Sequence, residues 1–170
     1  MKKIIYSTII CLFTQITSAQ VAIAKENVDG NNTILDFNST PTNTLGLILP
    51  AVNSLTALTA SNNGTFLFDK TDKKVKMYEK NGWVPLSDAG DASAIIPNST
   101  PEIGREVIIG APSSPAKGIL VLESNNKALI LPKVSNPHIS VKSPYPGMLC
   151  YDTASKSLAV FDGVNWNYWK

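Results

Sequence analysis

The 170-residue sequence predicts an all-β chain: two tandem repeats of short strands and β-meanders with long irregular loops, behind an N-terminal signal-peptide helix. Two observations carry that prediction. Eleven Pro and ten Gly are spread along the chain, which leaves little room for long helices. The chain also repeats itself: Leu47-Ile48-Leu49-Pro50 returns as Leu129-Ile130-Leu131-Pro132, and residues 64–83 align without gaps on residues 147–166.

The first element is the leader. Lys2 and Lys3 precede an apolar run from Ile4 to Ile16, followed by small and polar residues up to Ala19. A charged start, a short apolar stretch and a small-residue site define a secretory signal peptide over 1–19, with a second cleavage site after Ala24. The run falls short of the roughly 20 residues a membrane span needs. The chain is therefore expected to be exported, to the periplasm, the cell surface or the medium, with no membrane span once the leader is removed. Lys2 and Lys3 account for the formal charge of +2, and without them 13 basic residues face 13 acidic ones. Net charge then recruits neither nucleic acid nor an anionic membrane.

The first unit covers 28–86 and the second 107–170, with a connection at 87–106 rich in small residues. In the aligned window Gly64, Asp69, Lys73 and Trp83 match Gly147, Asp152, Lys156 and Trp166. Phe68 and Tyr78 match Tyr151 and Phe161. Each window reads as a strand, a turn opened by Asp, a second strand, a second turn, and a third short strand beginning near the Trp. In the first copy Val75 and Met77 fall on one face, with Lys74, Lys76 and Tyr78 on the other. Four residues separate the aromatic from the Trp in both copies, so the Trp is expected to pack back on the hairpin. The expected repeat core is Leu47, Leu49, Phe68, Tyr78 and Trp83 in the first unit. In the second it is Leu129, Leu131, Tyr151, Phe161 and Trp166. A 60-residue unit with so few apolar residues is marginal alone, so the units must bury each other or several chains must assemble.

The unit "LILP … GxLxYDT … KLxVFDGxxW" resembles repeat modules in exported proteins of Bacteroidetes bacteria. Its hairpin half is similar to the small β-meanders of bacteriophage tail-fibre proteins. The second copy also carries Ile109-Gly110-Ala111-Pro112, which matches the lead-in of such modules, and Val121-Leu122-Glu123-Ser124, which matches their aliphatic–acidic–Ser stretch. The first copy lacks the IG-P lead-in and has Lys80 where those modules often have a turn Gly. The resemblance implies a secreted structural or adhesive β-repeat protein that self-associates as a fibre-like homo-oligomer, with three chains as the implied number. Asp152-Thr153-Ala154 resembles the acceptor pattern for O-glycosylation in that group, which makes Thr153 a candidate site.

No catalytic, cofactor-binding or metal-binding residue set emerges. The sequence has no phosphate-cradling Gly-rich loop and no nucleophile elbow, and its single histidine, His138, lies beside Pro137. Asp69 and Asp72 lack the carboxylate count and the glycine of a calcium loop. Without the leader Cys150 is the only cysteine, in an apolar MLCY stretch that suits a buried, inert thiol. Tyr168 and Trp169, which have only Pro85 and Leu86 as repeat equivalents, are the candidate contacts for a ligand or another chain. A second reading makes them the platform of a monomeric glycan-binding module, with surface glycans or other envelope proteins as partners.

Overall fold

A computed structural model describes residues 20–96, 100 and 106–170. The expected signal-peptide helix over 1–19 and parts of the connection, 97–99 and 101–105, lie outside the described residues. The described chain is almost entirely β. Its strands, in order, are β1 (Val21–Ile23), β2 (Thr33–Phe37), β3 (Leu47–Ile48), β4 (Ala51–Val52), β5 (Phe66–Asp69), β6 (Lys74–Glu79) and β7 (Gly82–Pro85). The second half adds β8 (Val107–Ile109), β9 (Leu120–Leu122), β10 (Ala128–Leu129), β11 (Lys133–Val134), β12 (Met148–Asp152), β13 (Ser157–Phe161) and β14 (Trp166–Trp169). A 3-10 turn at Ala60–Asn62 and one helical turn, α1 (Pro137–Ser140), are the helical pieces described.

The duplication is a duplication of pairing. β5, β6 and β7 form an antiparallel meander, and β12, β13 and β14 form another. A two-residue strand lies parallel to the first strand of each, with Ala51 opposite Phe68 and Lys133 opposite Tyr151. The recurring prolines fix this junction through their carbonyls: Phe68 N–H donates to Pro50 O at 2.9 Å, and Tyr151 N–H to Pro132 O at 2.8 Å. Gly64 and Gly147 both enter their meanders at positive φ, 87° and 85°, the left-handed region that favours glycine. Each donates its N–H across the hairpin, to Tyr78 O at 2.9 Å and Phe161 O at 2.8 Å.

The fixed aromatic–Trp spacing is a cross-strand pair. Tyr78 stands opposite Trp83, with ring centroids 5.3 Å apart, and Phe161 opposite Trp166, at 5.4 Å. The turns between them differ although their lengths agree. In the first copy Lys80 and Asn81 both take positive φ, 49° and 64°, as a type I′ turn demands. Lys80 thus fills the position where a turn glycine is often seen, and Gly82 begins β7. In the second copy the buried Asp162 holds the loop, accepting from Val164 N–H at 2.8 Å and Asn165 N–H at 2.7 Å.

The pairing also extends the duplication upstream. β1 lies parallel to β2, and β8 parallel to β9. Asn38 N–H donates to Ile23 O at 3.0 Å, as Glu123 N–H donates to Ile109 O at 2.9 Å. Ile23-Ala24 therefore takes the place of Ile109-Gly110, with Ala24 at φ 58° and Gly110 at φ 102°. A side chain at Gly110 would put its Cβ 2.0 Å from Glu123 O, so this copy requires glycine there.

The two units exchange strands. β3, from the first, pairs antiparallel with β12 of the second, Leu47 opposite Leu149. β10, from the second, pairs parallel with β2 of the first, Leu129 close to Leu35. One core results: Leu49, Phe68, Val75 and Leu86 pack with Leu149 and Val160, against partly buried Leu47, Leu131 and Leu158. The start of the connection is docked as well. Ser87 Oγ accepts from Val75 N–H at 2.9 Å, and Asp91 N–H donates to Asp162 O at 2.9 Å. Gly90 and Gly163 permit that contact, since a Cβ on either would fall within about 2 Å of the facing carbonyl oxygen.

Truncating one side chain of this shared core should weaken both meanders together. Phe68→Ala removes a fully buried ring and should cost about 3–5 kcal/mol. Urea unfolding followed by tryptophan fluorescence should show one transition at a lower midpoint. Two separated transitions would mean that the halves fold independently.

Candidate functional site

Six of the residues singled out in the sequence are buried or pack against the core. Leu49, Phe68, Tyr78 and Phe161 are buried, and Leu47 and Leu131 pack half-buried against the cluster of Leu49 and Phe68. Trp83, Tyr151 and Trp166 are half-buried, and Leu129 is exposed on its strand at the β2 edge. Trp166 and Val141 lie against a second small cluster of Val134, Cys150 and Ala159.

Tyr168 and Trp169 occupy the outer strand of the second meander and remain 41% and 45% exposed. Tyr168 stands opposite Ala159 and Trp169 opposite Leu158. Adjacent residues of a strand project to opposite faces, so the two rings do not form one surface. Tyr168 turns toward α1, its hydroxyl 3.1 Å from His138 Nδ1. A shallow depression there is bounded by Asn136, His138, Asp152, Ala154, Ser155 and Tyr168. Burial, with the Asp152 carboxylate second, pushes the Tyr168 phenol above its ordinary range. Trp169 turns the other way and donates its indole N–H to Leu86 O at 2.5 Å, pinning the last strand to the end of the first meander. Thr153 is exposed in the turn after β12, open to modification by its position.

The turn aspartates are structural in their contacts. Asp69 Oδ1 accepts from Thr71 N–H at 2.9 Å, and Asp152 Oδ1 from Ala154 N–H at 2.9 Å. Each turn closes on a lysine at positive φ, Lys73 at 61° and Lys156 at 56°, which accounts for that matched pair. Beyond the turns the copies diverge. Asp69 also receives the Lys76 ammonium at 2.8 Å, shared with Asp72 at 2.6 Å. Lys76 is buried by this, although the alternation placed it on the face away from Val75. A second buried carboxylate, Asp36, accepts from Lys25 Nζ and from Asp29 N–H, both at 2.7 Å. The sequence reading missed both ion pairs. Its available signal was the charge set inside the apolar run Ile34-Leu35-Asp36-Phe37.

Among the described residues, no group of three or more His, Cys, Asp or Glu side chains is placed to hold a metal ion. Cys150 is buried, and burial, with the Asp152 charge second, pushes its thiol up to about 12. A thiol so placed is not ionised at neutral pH and is not a nucleophile. Among the described residues no helix is long and apolar enough to cross a membrane.

One comparison supports a phage tail-fibre-like module in the second half. A family model described as "Phage tail like trimerisation region" matches residues 108–170, from within β8 to the last residue. No curated protein and no solved structure matches the chain.

Two solution properties follow. Burial alone would raise the carboxyls of Asp36, Asp69 and Asp152. Lys25 and the Asp29 amide outweigh it at Asp36, Lys76 and Thr71 at Asp69, and Ser155 with the Ala154 and Asn136 amides at Asp152. All three thus titrate below the ordinary carboxylate range. Their stabilisation is complete above the unfolded-state pKa and is lost as pH falls through the folded one. Melting temperature should hold steady down to about pH 5 and fall below it, less steeply in Asp69→Asn. For Cys150, a thiol reagent at pH 8 should leave the native protein unlabelled and react fully after unfolding in guanidinium. Rapid native labelling would refute the buried placement.

Proposed function

We propose that this chain is an exported, non-enzymatic structural subunit that self-associates through its second half as a fibre-like trimer. The observation that carries the reading is the match of β8 through β14 to a trimerisation region of phage-tail type. The chain's own architecture supports it. The two units bury one small core between them, and large apolar residues are left at the surface of the second half, among them Val107, Leu120, Ile139 and Val164. Such a scaffold gains stability by association. Tyr168 and Trp169, each a single ring on its own face of β14, suit contact with protein or cell-envelope surfaces better than a stacked sugar platform.

Export is supported by the charged, apolar and small-residue segments of 1–19. Cleavage after Ala19 leaves the chain beginning at Gln20, whose side-chain amide donates to Thr33 O at 2.8 Å, and keeps β1 whole. Cleavage after Ala24 would remove β1. N-terminal sequencing of the exported protein should therefore begin at Gln20. Light scattering on residues 20–170 should give three times the chain mass. A compact monomer would overturn the fibre-like reading and turn attention to glycan binding at Tyr168 and Trp169.

A further inference from the structure

We propose that the β8–β9 pair is the seam between chains, its edges, unpaired among the described residues, and its exposed apolar face covered by the same pair of a second copy. This rests on the self-associating reading above and says which surface makes the contact.

The repeat supplies the main observation. β1–β2 and β8–β9 are equivalent parallel pairs, but they end differently. The outer edge of β2 is filled by β10 from the other unit, and Leu35 on β2 is 1% exposed. The outer edge of β9 receives no strand among the described residues. Leu120, which holds the place of Leu35, is 42% exposed, and its neighbour Val107 on β8 is 57% exposed. The same position is thus core in one copy and surface in the other. One difference between the copies is the neighbouring strand: β10 lies beside β2, and no strand among the described residues lies on the outer edge of β9.

The composition points the same way. β8 reads Val-Ile-Ile and β9 reads Leu-Val-Leu. Sheet edges in monomeric proteins are usually guarded by a charge, a proline, a bulge or shortness, and these two strands, three residues each, carry neither charge nor proline. Val107 N–H donates to Ile119 O and Glu123 N–H to Ile109 O, both at 2.9 Å. By the alternation of a parallel ladder, the amides of Ile108 on one edge and of Leu120 and Leu122 on the other point outward.

Symmetry selects the partner. Rotation about an axis along the strands preserves their direction, so a three-fold ring can join strand edges only in the parallel sense. β8 and β9 already pair in that sense. Laying β9 of one chain beside β8 of the next is a head-to-tail contact that closes after three copies. The ring would then turn Val107 and Leu120 of every chain to the same side.

The test uses the chain without residues 1–19. The double variant Val107→Asp, Leu120→Asp should sediment at one chain mass, a third of the parent value, with Cys150 still unreactive as proof of folding. A folded variant that keeps the parent mass overturns the seam while leaving self-association standing. A parent chain that is itself monomeric overturns both. Should the variant fail to fold, hydrogen exchange on the parent decides. The Ile108, Leu120 and Leu122 amides should exchange at least about tenfold more slowly than loop amides of the same protein. Loop-like exchange at these three positions overturns the proposal.

Discussion

Leu149 faces Leu47 across one edge of β12, and most of the molecule's order depends on that contact. The edge is divided: its first half takes β3 antiparallel and its second half takes β11 parallel. Through this division a strand from residue 47 onward enters the sheet of the second meander, and Leu49 is carried between Phe68 and Leu149. Gly147 is part of the same joint, since its Cα lies where a side chain would meet Phe68 Cβ at 3.2 Å. The reciprocal strand, β10, seals β2 and leaves Ile34 and Leu35 almost without solvent contact. Each unit supplies what the other lacks, and this is why two units of marginal size reach one core.

The ion pairs and buried turns fill in around that frame. Asp36 with Lys25 ties the loop after β1 to β2, and Asp69 with Lys76 ties the first turn to the middle strand. The second meander achieves the same closure without a cation, through Ser155 and the amides around Asp152. Asp152 is kept where the cation is absent because its backbone bonds, not an ion pair, close the turn. The Asp162 turn then accepts the docked connection through Asp91.

The parts legible in the sequence were those with local causes. The meanders announced themselves because strand, turn and cross-strand aromatic pair all lie within twenty residues, and Asp69, Asp152, Trp83 and Trp166 recur in register. The parallel pairs did not. β1 and β8 are three residues long, too short for alternation to show, and their partners lie more than ten residues away through irregular chain. Ala24 concealed the equivalence by standing at positive φ where the other copy has Gly110. Strand exchange left no mark at all, because Leu47 and Leu129 occupy matched positions yet pair with unrelated strands. Of the two residues chosen as contacts, Trp169 owes much of its placement to the Leu86 carbonyl, a partner no spacing rule connects to it.

The strand exchange also sets a timetable. Leu47 leaves the ribosome about a hundred residues before Leu149, the residue it must face. At 5–20 residues per second that is a wait of roughly 5–20 s. During that interval the first half has no second sheet to join and no complement to its core. The nascent chain therefore stays open until its final meander has been made.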